Sequence, residues 1–151
     1  HVRTTGQMKE VVSDAIGKAD ALVMTAAVTD YQPKEVAKNK IKKTASPLTL
    51  ELIRTPDILG EVKGDFIKVG FAAESEDILA NARKKLEKKQ LDIIVANDVT
   101  DADSGFGVDT NKVTLIDRNG KVESLPLLTK REVADRLLDR VVELLGRKAE
   151  G

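Results

Sequence analysis

Apolar positions change their period along the chain, and each change marks an element. Met8, Val11, Val12, Ala15 and Ile16 keep the i, i+3, i+4, i+7, i+8 spacing of an amphipathic helix, which Thr5 can cap and Gly17 can end. Ala21 to Val28 is then almost wholly apolar over a strand's length, as expected of a parallel strand covered on both faces. Ile67 to Ala73, interrupted by Gly70, and Asp92 to Ala96 repeat that pattern. Between them a helix from about Glu76 to Lys89 carries Ile78, Leu79, Ala82 and Leu86 on one side. Leu48, Leu50 and Leu52 alternate with Thr49 and Glu51, which predicts a strand with one wet face projecting from the main sheet. Val113 to Ile116 and Val122 to Leu125 flank Arg118-Asn119-Gly120 and read as a hairpin turning at Asn-Gly. Thr129 and Glu132 make a capping box for a last helix with a stripe of Val133, Leu137, Leu138, Val141, Leu144 and Leu145, which Gly146 should stop. The prediction is α/β: a mainly parallel sheet with flanking helices, a projecting flap, and a C-terminal hairpin plus helix.

Composition narrows the function classes. A length of 151 residues fits one domain, residues 1–151, with a real core. The 25 basic and 25 acidic residues balance to zero, so no global field draws the chain to nucleic acid or membrane. Cysteine is absent and the one histidine is His1, which excludes disulfides, thiolate catalysis, His-based triads and Cys or multi-His metal sites. No apolar run approaches the roughly 20 residues of a membrane span, and no signal peptide is visible. A cytoplasmic protein, without nucleic acid or membrane partners, is expected.

Candidate chemistry begins where the first buried strand should end. Ala26 and Ala27 remove side-chain bulk there and Asp30 places a carboxylate just beyond, where open α/β sheets bind ligands. Lys34, Lys38, Lys40, Lys42 and Lys43 follow against a single Glu35, a cationic arm suited to a polyphosphate, although such a run also fits a solvated loop. Thr55-Pro56-Asp57-Ile58 reads as an N-cap with Pro at the first helical position; a plain helix start suffices, and free N–H groups there also suit an anion or a nucleotide edge. Phe71, at a strand's carboxyl end, fits either the core or a base pocket. Lys85 and Lys89 stand one turn apart, so both ammoniums should point the same way, but Lys84 and Lys88 form an equivalent pair. Asn97-Asp98 is a turn or a ligand contact, and Thr100 to Lys112, with Gly105-Phe106-Gly107, reads as a lid or a dimer loop.

Taken in order, Ala26 to Lys43 (AAVTDYQPKEVAKNKIKK), Thr55-Pro56-Asp57-Ile58, Gly70-Phe71-Ala72-Ala73-Glu74, Lys85 and Lys89, Ala96-Asn97-Asp98-Val99, and Gly105-Phe106-Gly107 to Asn111 resemble phosphopantothenoylcysteine synthetase. The resemblance covers nearly the whole chain and implies a Rossmann-like fold and a CTP-dependent ligase of coenzyme A biosynthesis. In that reaction the carboxylate of 4′-phosphopantothenate attacks the α-phosphate of CTP and releases pyrophosphate. The amine of cysteine then opens the acyl-cytidylate to give the amide and CMP. Two anions must meet, so catalysis is mainly positioning plus positive charge, which lysines and a hydrated Mg²⁺ supply.

By this resemblance Lys40 is the catalytic lysine that closes over the phosphates, and Asp30 serves the nucleotide and its metal, with the ribose as the alternative contact. Pro56, Asp57, Ile58, Leu59, Phe71, Lys85 and Lys89 bind nucleotide, and Ala26 and Ala27 border the acyl group. A homodimer with the flap in its interface is implied, and no flavin is expected in this chain. The family's upstream glycine-rich strand-turn-helix and its asparagine loop have no counterpart here, and His1 to Thr5 reads as the tail of a strand entering a helix. A fragment or processed chain is therefore expected, with an upstream decarboxylase domain in the native protein, able to bind CTP but catalysing poorly alone. The competing readings are a nucleotide-binding regulatory module of Rossmann type, which normally needs a GxGxxG turn that is missing here, and a dimeric interaction domain.

Overall fold

The structure is a computed structural model that describes residues 1–43, 47–98, 100, 104 and 107–149. In chain order its elements are α1 (Thr5–Ile16), β1 (Ala21–Met24), β2 (Tyr31–Pro33), β3 (Leu52–Arg54), α2 (Ile58–Glu61), β4 (Ile67–Glu74), α3 (Ile78–Lys89), β5 (Ile93–Asp98), β6 (Thr110–Asn111), β7 (Val113–Asp117), β8 (Val122–Ser124), β9 (Leu128–Thr129) and α4 (Lys130–Ala149). Five strands form the main sheet in the order β1-β4-β5-β7-β8. The first three run parallel, and β7 and β8 complete the sheet antiparallel.

Both faces of the sheet are covered, which is why β4 and β5 read as continuous apolar runs rather than alternating ones. Ile67 and Val69 of β4 and Ile93 and Val95 of β5 pack with Val133, Leu137, Val141 and Leu144 of α4. Ala72, Ile94 and Ala96 alternate to the other face and meet Ala82 and Leu86 of α3, with Leu91. A third cluster of Met24, Ile58, Val62 and Phe66 receives Met8, Val12 and Ile16 of α1. The result is a Rossmann-like, mainly parallel α/β sheet. The hairpin turns as expected, with Gly120 at φ 86° and the Asp117 carboxylate accepting from the N–H groups of Asn119 and Lys121 at 2.9 and 3.0 Å. The capping box also forms: Thr129 N–H donates to Glu132 Oε2 at 2.8 Å and Glu132 N–H to Thr129 Oγ1 at 3.2 Å.

Several boundaries differ from the sequence expectation. Thr4, not Thr5, caps α1, because its hydroxyl is the one that reaches Gln7 N–H. β1 ends at Met24 rather than Val28: Val28 N–H bonds Ala26 O at 3.0 Å, a tight turn that lifts the chain off the sheet. α2 is capped by Asp57, whose Oδ1 accepts from Gly60 N–H at 3.1 Å, while the Thr55 hydroxyl donates to Thr29 O. Asp77 adopts a left-handed φ of 46°, so α3 opens at Ile78, and Leu79 faces outward at 46% exposure. The flap is a separate two-stranded ribbon of β2 and β3. Leu48 and Leu50 precede its second strand, and with Leu52 they stay exposed. Helix α4 continues through Gly146, since glycine costs a helix only about 1 kcal/mol against alanine and the preceding turns are anchored in the core. Leu138 faces solvent rather than the core. Val99, Gly105 and Phe106, and residues 101–103 of the predicted lid, lie outside the described residues.

Candidate functional site

Beyond the carboxyl end of β1, beside Phe71 of β4, lies a cleft of about 200 Å³. One wall is the segment leaving β1, from Met24 through Ala26 and Ala27 to Asp30; the other is Thr55 to Leu59, entering α2. Phe71 and Lys89 complete the lining. The walls are tied together: Thr55 N–H donates to Asp30 O at 3.0 Å, and its hydroxyl to Thr29 O. Ile58 anchors its wall in the third core cluster, and Phe71, half-buried, packs against the α4 side of the sheet.

The structure thus brings together Ala26, Ala27, Asp30, Pro56, Asp57, Ile58, Leu59, Phe71 and Lys89, which come from four separate stretches of sequence. Two predicted residues stand elsewhere. Lys40 lies in the exposed, irregular run after β2 and does not line the cleft. Lys85 sits one turn before Lys89 on α3, but its ammonium meets Glu74 Oε1 at 2.7 Å, whereas that of Lys89 meets Asp57 Oδ1 at 2.9 Å. The two lysines are therefore held by different carboxylates rather than presented as a parallel pair.

Charge in the cleft is mixed. Burial pushes the Asp57 carboxyl up, but the hydrogen bonds from Lys89 and Gly60 N–H, with the charges of Lys89 and Lys88, outweigh it and hold Asp57 below the ordinary aspartate value. Among the described residues no group of three or more His, Cys, Asp or Glu side chains could hold a metal. Asp30, in the cleft, fits a Mg²⁺ that arrives with phosphate, since that ion keeps most of its waters and needs only one or two carboxylates.

Sequence reasoning passed over Thr29 and Thr55 as braces, because their contact spans 26 residues and leaves no periodic trace. It also passed over Lys68, which is buried on β4 and donates to Leu59 O at 3.0 Å and Val62 O at 2.9 Å, tying α2 to the sheet. Burial, more than the nearby Lys63 and Arg118, lowers the Lys68 pKa against the pull of Asp92 and Asp57. A second, apolar cleft of about 520 Å³ shares Ala26, Ala27 and Phe71 with the first and adds Ala73, Asn97, Lys130 and Leu138. A third cavity, about 710 Å³, lies at the amino ends of β4 and β5 beside Lys68 and Arg118 and contains none of the predicted site residues. Ligands of open α/β sheets gather at the opposite, carboxyl ends.

A family model described as the DNA/pantothenate metabolism flavoprotein C-terminal domain matches residues 1–145. The coenzyme A biosynthesis bifunctional protein CoaBC of Bacillus subtilis is 44% identical over 152 residues, covering 99% of this chain and 37% of that protein. A cysteine/cysteine sulfinic acid decarboxylase from an unknown prokaryotic organism is 36% identical over 148 residues, covering 95% of this chain and 41% of the relative. The chain therefore spans about two fifths of the length of these relatives. Among solved structures, the C-terminal domain of a coenzyme A biosynthesis bifunctional protein CoaBC superposes with a TM-score of 0.77 at 37% identity, covering 97% of this chain and 65% of that one. Matched in sequence and in fold along nearly its whole length, the chain belongs to the family of the DNA/pantothenate metabolism flavoprotein C-terminal domain.

Proposed function

We propose that the chain contributes the nucleotide and acyl sites of a phosphopantothenate–cysteine ligase of coenzyme A biosynthesis, which activates the 4′-phosphopantothenate carboxylate with CTP and Mg²⁺ and passes the acyl group to cysteine. The observation that carries this reading is the convergence of Ala26, Ala27, Asp30, Pro56 to Leu59, Phe71 and Lys89 on one cleft at the carboxyl edge of the sheet. The walls suit such chemistry, since two alanines leave room for an acyl group and backbone groups around the Asp57 cap offer fixed donors and acceptors to a base. Lys89 places a cation within the cleft, and Asp30 a carboxylate for the nucleotide's Mg²⁺. Lys40 takes part only by closure of the flap, which carries no core packing to hold it in place. The family match and the name of the 44% identical relative support the coenzyme A assignment. The word bifunctional in that name, with decarboxylase in the name of the 36% identical relative, supports a second, decarboxylase-type domain in the native protein. A homodimer, a cytoplasmic location and the absence of flavin from this chain go with the same reading.

Calorimetric titration with CTP, ATP and NAD in the presence of Mg²⁺ tests it. Selective binding of CTP is expected. NAD binding would favour a regulatory dinucleotide module, and no binding at all an interaction domain; either result refutes the ligase assignment.

A further inference from the structure

Glu74 is the last residue of β4 and faces α3, and it is 8% exposed. Its Oε1 is buried and lies 2.7 Å from Lys85 Nζ, off the line that a directed hydrogen bond needs. Among the described residues no other cation stands within ion-pair distance of it, and the Lys85 side chain is itself half exposed. As a purely structural device this arrangement is poor. A buried carboxylate with one loosely aligned, half-solvated partner seldom repays its desolvation, and a neutral residue of the same shape usually serves stability as well or better. Groups that break a local rule in this way collect at functional sites.

Its position suggests the function. Lys85 stands one helical turn from Lys89, which lines the cleft, and is free to swing because half of it is in solvent. Asp57, the partner of Lys89, is exposed, so water can take over when its lysine turns to a ligand. Glu74 has no such substitute. We propose that Glu74 is a positioning residue that competes with bound polyphosphate for the Lys85 ammonium, and so limits how tightly the cleft holds triphosphate and, above all, the departing pyrophosphate. The inference rests on the nucleotide reading of the cleft, and it adds a built-in brake on product retention to the lysines that attract the substrate.

Glu74→Gln keeps the size and an acceptor but drops the charge. Releasing Lys85 from its competing carboxylate should tighten binding of inorganic pyrophosphate with Mg²⁺, and of CTP, by about threefold to tenfold, and leave CMP unchanged. The same titrations on Glu74→Asp, which draws the carboxylate back by one methylene, should shift in the same direction by less. In a Lys85→Met background the Glu74→Gln gain should vanish. Structural damage cannot imitate this result, because it weakens binding and lowers the melting temperature. CTP binding to the wild type with an unchanged or weaker pyrophosphate affinity in both Glu74 variants overturns the competition alone. Pyrophosphate binding that shows this Glu74 dependence without any CTP binding overturns the nucleotide reading and leaves the competition standing. A wild type that binds neither overturns both.

Discussion

Lys89→Met separates what this lysine does for the fold from what it does for a ligand. Its ion pair with Asp57 joins side chains that are 31% and 44% exposed, so screening and side-chain entropy hold its worth below about 1 kcal/mol. Asp57 also keeps its cap on Gly60 N–H when the lysine is gone. The melting temperature should therefore fall by no more than about 3 °C. A triphosphate in the cleft loses more. A unit charge about 5 Å from a phosphate at an effective dielectric constant of about 20 is worth about 3 kcal/mol before desolvation. Losing roughly half to most of that weakens CTP binding about tenfold to a hundredfold. Calorimetry with CTP and Mg²⁺ at low and high salt reads the change, and Lys88→Met, on the neighbouring stripe of α3, should change affinity less than about twofold. The carboxyl of Asp57, observed by NMR titration, should return toward the ordinary aspartate value, because Lys89 supplies the main force holding it down. Stability contributed by Asp57 in the wild type is present above the unfolded pKa and lost as the pH falls through the lowered folded value; the variant should lose that acid-side slope. A Lys89→Met affinity within about twofold of wild type, or an equal loss in Lys88→Met, would refute the placement of the phosphates beside α3.

Lys40→Gln should lower turnover of the full ligase more than it raises the KM for CTP, as expected of a cation delivered on closure; unchanged turnover in a pyrophosphate-release assay would remove Lys40 from the reaction. Lys68 has a depressed pKa, so just below the usual lysine range the unfolded chain holds a proton that the folded one has shed, and stability rises with pH. Urea unfolding at about pH 7.5 and about pH 9.5 should show this rise in the wild type and not in Lys68→Met. Arg140→Met strands the buried Asp117, although two backbone N–H groups still bond that carboxylate, so a loss of about 3 kcal/mol in urea unfolding is expected, partly restored by adding Asp117→Asn.

Much of the fold was legible because the interactions that set it are local. The stripe of α4, the Thr129–Glu132 box and the Asn-Gly hairpin each depend on residues within four positions of one another, and each formed as the pattern implied, apart from the outward Leu138 and the helix's passage through Gly146. The order of short motifs likewise named most of the cleft lining before any geometry was known, from Ala26 to Phe71 and Lys89. What periodicity could not supply was decided by partners far apart in the chain. β1 stops at Met24, the last of its residues to pair with β4, opposite Gly70, and α2 starts late because Thr55 is spent on Thr29. Lys85 and Lys89 look equivalent in sequence, yet one meets a buried carboxylate at the end of β4 and the other an exposed cap on α2. A side chain's propensity travels with it along the chain, but burial, ion pairing and the place where a strand ends depend on which surface folds against it, and that surface exists only once the sheet has assembled.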